Sequence, residues 1–205
     1  MRPPDNFTQT PSTPRPCALP STDFLIRQPM NNFVELEDGP WFASSLRLAG
    51  VLNARYNKSW GETTVKSTDV PGMSRSTIPW LAAAGKRAMH LGYNSACRVP
   101  DIPMAFNWVH AETGTSMLTF VNDNYGSTIV VPGSPHALAF FYSPDNTGPP
   151  PDAASVSSWW TSTSAAFPKA TVVLSSLDAF AQAVLPISET LPQVVGEIGQ
   201  VRMRE

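Results

Sequence analysis

From Trp41 onward, strand-like and helix-like stretches alternate along the chain, and this alternation restricts its fold more than any other feature. Phe42, Leu46, Ala49, Leu52 and Tyr56 recur at spacings of three or four, which predicts a helix ending near Asn57. The β-branched run 63–68 predicts a strand, stopped by the turn chemistry of Pro71-Gly72. Ser74 can cap a second helix carrying Ile78, Leu81 and Ala82 and closed by Gly85, and Lys86 to Leu91 supplies the next strand. Phe106 to Val109 and Met117 to Val121 flank Glu112-Thr113-Gly114-Thr115 as a hairpin. The continuous apolar run 137–142 predicts a strand buried on both faces. Asp152 can cap a helix whose inner face carries Val156, Trp159, Trp160, Thr163 and Phe167. A strand at Thr171 to Leu174, a helix with Leu177, Phe180, Ala181, Val184 and Leu185, and a strand at Val194 to Ile198 complete the series. This rhythm predicts an α/β domain, a parallel sheet with helices packed over it.

Residues 1–40 differ in kind. Pro3, Pro4, Pro11, Pro14, Pro16, Pro20, Pro29 and Pro40 lie among Ser, Thr and Asn, a composition that removes backbone donors and buries little apolar surface. The expectation is an extended or disordered tail over 1–40 and one α/β domain over 41–205, within the span one core can serve. The last predicted strand is reached a few residues before Glu205, so no covering helix follows it, and the domain reads as partial. A formal charge of -2 gives no field to gather nucleic acid or anionic lipid. No apolar run reaches the roughly 20 residues of a membrane span, and the first residues form no hydrophobic signal segment, so the expected location is cytoplasmic. Cys17 and Cys97 make neither a disulfide framework nor a metal clip and read as free thiols.

In parallel α/β folds, reactive groups gather at the carboxyl ends of strands. Three acids fall at predicted strand ends: Asp69 after 63–68, Asp145 after 137–142, and Glu197 near the last. Glycosidases commonly need two carboxylates, one acting on the anomeric carbon or on water and one protonating the leaving oxygen. Taken singly, each acid is equally ordinary turn chemistry. His90, His110 and His136 have no mutual spacing that gives a chelate and read as structural. No phosphate loop, nucleophile elbow or Cys/His pair supports a rival chemistry.

Thr68-Asp69-Val70-Pro71-Gly72-Met73-Ser74-Arg75, with Ile78-Pro79 and Leu81-Ala82-Ala83-Ala84-Gly85, resembles a segment of glycoside hydrolase family 38, the α-mannosidases, and most closely the related bacterial and fungal domain of unknown function. Further similar stretches follow in order: His90-Leu91-Gly92-Tyr93-Asn94, Pro100-Asp101-Ile102-Pro103, Asp145-Asn146-Thr147-Gly148-Pro149-Pro150, Leu177-Asp178-Ala179-Phe180, and Leu191-Pro192 through Gly196-Glu197-Ile198-Gly199. The resemblance covers about residues 41–199. It implies a retaining, zinc-assisted hydrolase of a carbohydrate substrate on a seven-stranded (β/α) barrel, of which this chain holds part. Asp69 matches the family's nucleophile and metal ligand, Asp145 matches a loop acid lining the pocket, and Asn146 and Glu197 fall at substrate-binding positions. The family's remaining zinc ligands, a His-x-Asp pair and a later His, have no match in this chain. Met73 replaces a His, and Gln200-Val201-Arg202 replaces an expected Asp-Thr-Trp. The expectation is therefore a truncated or degenerate catalytic domain completed by another chain or segment, with a non-catalytic carbohydrate-binding remnant as the alternative.

Overall fold

The structure is a computed structural model that describes residues 39–55, 63–69, 74–93, 99–123, 127–141 and 152–198. Its elements are α1 (Gly39–Arg55), β1 (Thr64–Asp69), α2 (Thr77–Ala83), β2 (Ala88–Tyr93), β3 (Ala105–His110), β4 (Thr115–Asn122), β5 (Ile129–Val130), β6 (Ala137–Leu138), α3 (Ala153–Ala166), α4 (Leu177–Val184), a 3₁₀ turn (Leu185–Thr190) and β7 (Gln193–Val195). The class is mixed α/β, around a five-stranded sheet in the order β1-β2-β4-β3-β7. Among the described residues the sheet is open, with β1 and β7 at its edges, rather than closed as a barrel.

Three of the four pairings are parallel: β1 with β2, β2 with β4, and β3 with β7. β3 and β4 form the antiparallel hairpin expected around Gly114, whose φ of 67° suits a residue without Cβ. It follows that β7 runs against β1, β2 and β4, so the expected parallel sheet is found as a mostly parallel one. The register shows why: Val195 pairs with Val109, and Val109 faces Ser116 near the start of β4. Three hydrogen bonds help fasten this edge to β3. Asn107 N donates to Pro192 O at 2.8 Å, Asn107 Nδ2 to Ser188 O at 2.6 Å, and Trp108 Nε1 to Gly196 O at 2.8 Å.

Strand periodicity sorts side chains onto two faces. Val65, Met89, Leu91, Tyr93, Phe106, Trp108, Met117 and Val121 meet Phe42 and Leu46 of α1 and Ile78 and Leu81 of α2 in one buried cluster. Each large side chain withdrawn from water there contributes about 1.5–3 kcal/mol. The indole of Trp80 occupies the space where a Cβ on Gly39 would lie, so glycine lets α1 begin against α2. The opposite face carries Ala88, Ala105, Leu118 and Phe120, packed on Phe180, Ala181 and Val184 of α4 and on Leu191.

The helices follow the sequence closely. Asp152 caps α3 by accepting from Ser155 N at 2.8 Å, and Ser176 caps α4 by accepting from Ala179 N at 3.2 Å. Gly85, at φ 78°, closes α2. Ser74 sits one turn earlier than expected, its carbonyl accepting from Thr77 N at 3.1 Å, while α2 itself starts at Thr77. In α3, Val156, Trp159, Trp160 and Thr163 are half-buried, but Phe167 is exposed.

Two expected strands are corrected. In 137–141 only Ala137–Leu138 is strand, paired with β5, because the run spends its apolar surface on rings instead: Phe140 packs on His90 and Phe141 on Trp159. Thr171 to Leu174 is irregular, with Val173 67% and Leu174 60% exposed. β-Branched residues favour a pleated, half-buried surface, and no described strand offers one there. Among the described residues, no helix is long and apolar enough to cross a membrane. Residues 1–38, with most of the predicted tail, lie outside the described residues, and so do both cysteines.

Candidate functional site

β1, β2 and β4 are adjacent and parallel, so their carboxyl ends share one rim. Asp69, the last residue of β1, is in register with Tyr93, the last of β2. Gly92 is in register with Asn122, which places Asp123 level with them on the third strand. Two strand spacings separate the backbones of Asp69 and Asp123 by roughly 10 Å. Asp123 is exposed, and its Oδ1 accepts from Ser127 Oγ at 2.8 Å. Asp123 is the rim carboxylate that sequence reasoning passed over. Its signal was an acid directly after a strand, as for Asp69.

Below this rim, on the face toward α4, lies a set of buried polar groups in an otherwise apolar sheet. Lys66 of β1 is in register with His90 of β2, and the two are 5% and 0% exposed. His90 Nε2 lies 2.5 Å from Asn122 Oδ1. Asn122 Nδ2 in turn donates to Ser127 O at 2.5 Å and to Ser127 Oγ at 2.9 Å. A carbonyl can only accept, so this contact fixes the Asn122 amide with its oxygen toward the imidazole. His90 must then carry its proton on Nε2, leaving Nδ1 as the acceptor. That Nδ1 is buried without a hydrogen-bond partner. Burial pushes the His90 pKa down to about 3, against the opposing Asn122 bond and assisted by the Lys66 charge, so the ring is neutral near pH 7. Burial likewise lowers the Lys66 amine from 10.5 to about 7. Phe140 walls the group, its ring centroid 4.9 Å from that of His90 and 5.8 Å from Lys66 Nζ.

One further polar tie anchors the opposite, amino end of β1. Asp178, in the first turn of α4, accepts from Thr64 N at 2.7 Å and so fixes the start of β1 to the helix.

The other expected site residues do not gather here. Glu197 follows β7 and therefore lies toward the amino ends of β1, β2 and β4. There it accepts from Arg75 N at 2.8 Å and from Ser74 Oγ at 3.1 Å, and Arg75 also pairs with Glu112 at 2.6 Å. The bond that its own backbone N–H donates to it, and then the Arg75 hydrogen bond, hold the Glu112 carboxyl below its usual range. The expectation that Glu197 joins Asp69 is thus not met by the topology. Asp145 and Asn146 lie outside the described residues.

The side chain of Asp69, the expected zinc ligand, lies outside the described residues, and among the described residues no group of three or more His, Cys, Asp or Glu side chains converges. His90 is engaged through Nε2, and the charge of nearby Lys66 opposes a second cation. No protein-family model, curated protein or solved structure matches the chain.

Proposed function

We propose that the chain is a glycoside hydrolase-like domain of the α-mannosidase type, acting at the rim formed by the carboxyl ends of β1, β2 and β4. The observation that carries this reading is the register that sets Asp69 and Asp123 level across three parallel strands. In the retaining reaction Asp69 bonds to the anomeric carbon as the glycosidic C–O bond breaks. A second carboxyl group, for which Asp123 is the described candidate, protonates the departing oxygen and then activates the water that releases the sugar.

The test is hydrolysis of 4-nitrophenyl α-D-mannoside by the full chain, with and without added zinc, beside Asp69→Asn. Turnover by the wild type that Asp69→Asn abolishes supports the proposal. Equal turnover by both removes Asp69 from the mechanism. A second reading, carbohydrate binding without hydrolysis, is favoured by the separation of Glu197 from the rim. It predicts mannoside binding that ignores chelators and yields no product.

A further inference from the structure

Between α1 and α2 the surface opens into a groove of about 500 Å³, a volume that small ligands fill. Leu46 and the indole of Trp80, the latter 40% exposed, give it apolar walls. Gly50 lies in it too. A glycine inside a helix costs stability relative to alanine, so its place in α1 implies a use. Crowding is not that use, because a Cβ on Gly50 would meet no atom within 4 Å. The missing side chain instead keeps the groove open. The charge that lines this space has one sign, since Arg47 and Lys86 border it and no acid does. Arg47 is exposed, and among the described residues no carboxylate pairs with it. A ligand matched to this surface has an apolar body and one anionic end. The walls are helices, whose backbone donors and acceptors pair with one another, so an extended peptide would leave its own amides unpaired there. An alkyl chain has none to satisfy. At the charged end, the guanidinium fork matches the two oxygens of a carboxylate.

We infer that the groove between α1 and α2 binds a fatty carboxylate, its alkyl chain against Leu46 and Trp80 over Gly50 and its head group on the Arg47 guanidinium. The site uses no residue of the rim at the carboxyl ends of β1, β2 and β4. It stands whether or not the chain hydrolyses glycosides.

The experiment is a calorimetric titration of the full chain with decanoate, kept below the concentration at which it forms micelles, in wild type, Gly50→Leu and Arg47→Gln. Gly50→Leu places a side chain in the groove where there is room for its Cβ, and is expected to abolish binding while the thermal midpoint holds or rises. Arg47→Gln is expected to weaken decanoate binding about 3- to 5-fold, the worth of one exposed ion pair, and to leave the binding of uncharged 1-decanol as in wild type. No saturable binding by wild type, or binding that Gly50→Leu leaves intact, overturns the site. Decanoate affinity unchanged in Arg47→Gln overturns the carboxylate assignment, and this variant, at an exposed position, decides alone should Gly50→Leu fail to fold. A wild-type dimer in sedimentation that Gly50→Leu dissociates, with no decanoate bound, makes a second copy of the chain the occupant and likewise overturns it.

Discussion

The two faces of one sheet are built on opposite principles. Toward α1 and α2, β2 presents Met89, Leu91 and Tyr93, and β3 presents Phe106 and Trp108, all at most 1% exposed. Toward α4, the same strands and their neighbours present Lys66, His90 and Asn122 among Ala88, Leu118 and Phe120. The first face supplies stability through close packing. The second gives up part of that stability to keep a cation, a neutral imidazole and an amide out of water, the kind of local inconsistency that marks functional sites.

The largest effect in this comparison belongs to the dry face. Trp108→Ala removes a side chain with 0% exposure and the bond to Gly196 that fastens β7. It is expected to cost about 3–5 kcal/mol in urea denaturation, with no dependence on pH between 6 and 9.

Lys66→Met should do the reverse. The folded pKa of Lys66 is about 7 against an ordinary 10.5, so between those values the unfolded chain holds a proton that the native chain has released. Stability therefore rises with pH across that window, by at most about 1.4 kcal/mol per pH unit. Met has no proton to release, so the variant should be more stable than wild type below pH 7 and should lack the rise above it. A variant less stable than wild type at pH 6 would show that Lys66 is not a net cost to the fold. His90 titrates in a lower window: its folded pKa of about 3 lies below the ordinary 6.5, so its contribution is present above pH 6.5 and declines as pH falls toward 3.

Asp178→Ala tests the join between α4 and β1. Losing the acceptor for Thr64 N is expected to cost about 1–3 kcal/mol by thermal or chemical denaturation. The smallest effect is expected on the far rim. Glu197 is half-exposed, so Glu197→Gln should leave the unfolding midpoint and any mannosidase activity unchanged.

Local chemistry made much of this architecture legible. The hairpin could be read because Gly114 stands between two alternating apolar runs, and α3 because Asp152 caps it. The polarity of β7 could not, since it depends on a neighbour that one-dimensional periodicity does not name. Asn107 and Trp108, distant in sequence, supply that edge's bonds. Thr171 to Leu174 has the composition of a strand without a described partner. At the site, Asp69 was legible as the end of a β-branched run. Lys66 and His90 had a weaker signal, a single cationic or titratable residue at alternate positions of strands otherwise buried. Their meaning depends on register, which brings them side by side.

The most direct measurement is covalent trapping with 2-deoxy-2-fluoro-α-D-mannosyl fluoride, read by peptide mass spectrometry. The account predicts one glycosyl group on the peptide carrying Asp69 in wild type, and none in Asp69→Asn. A label on another carboxylate, or turnover of the aryl mannoside with no label at position 69, would contradict it.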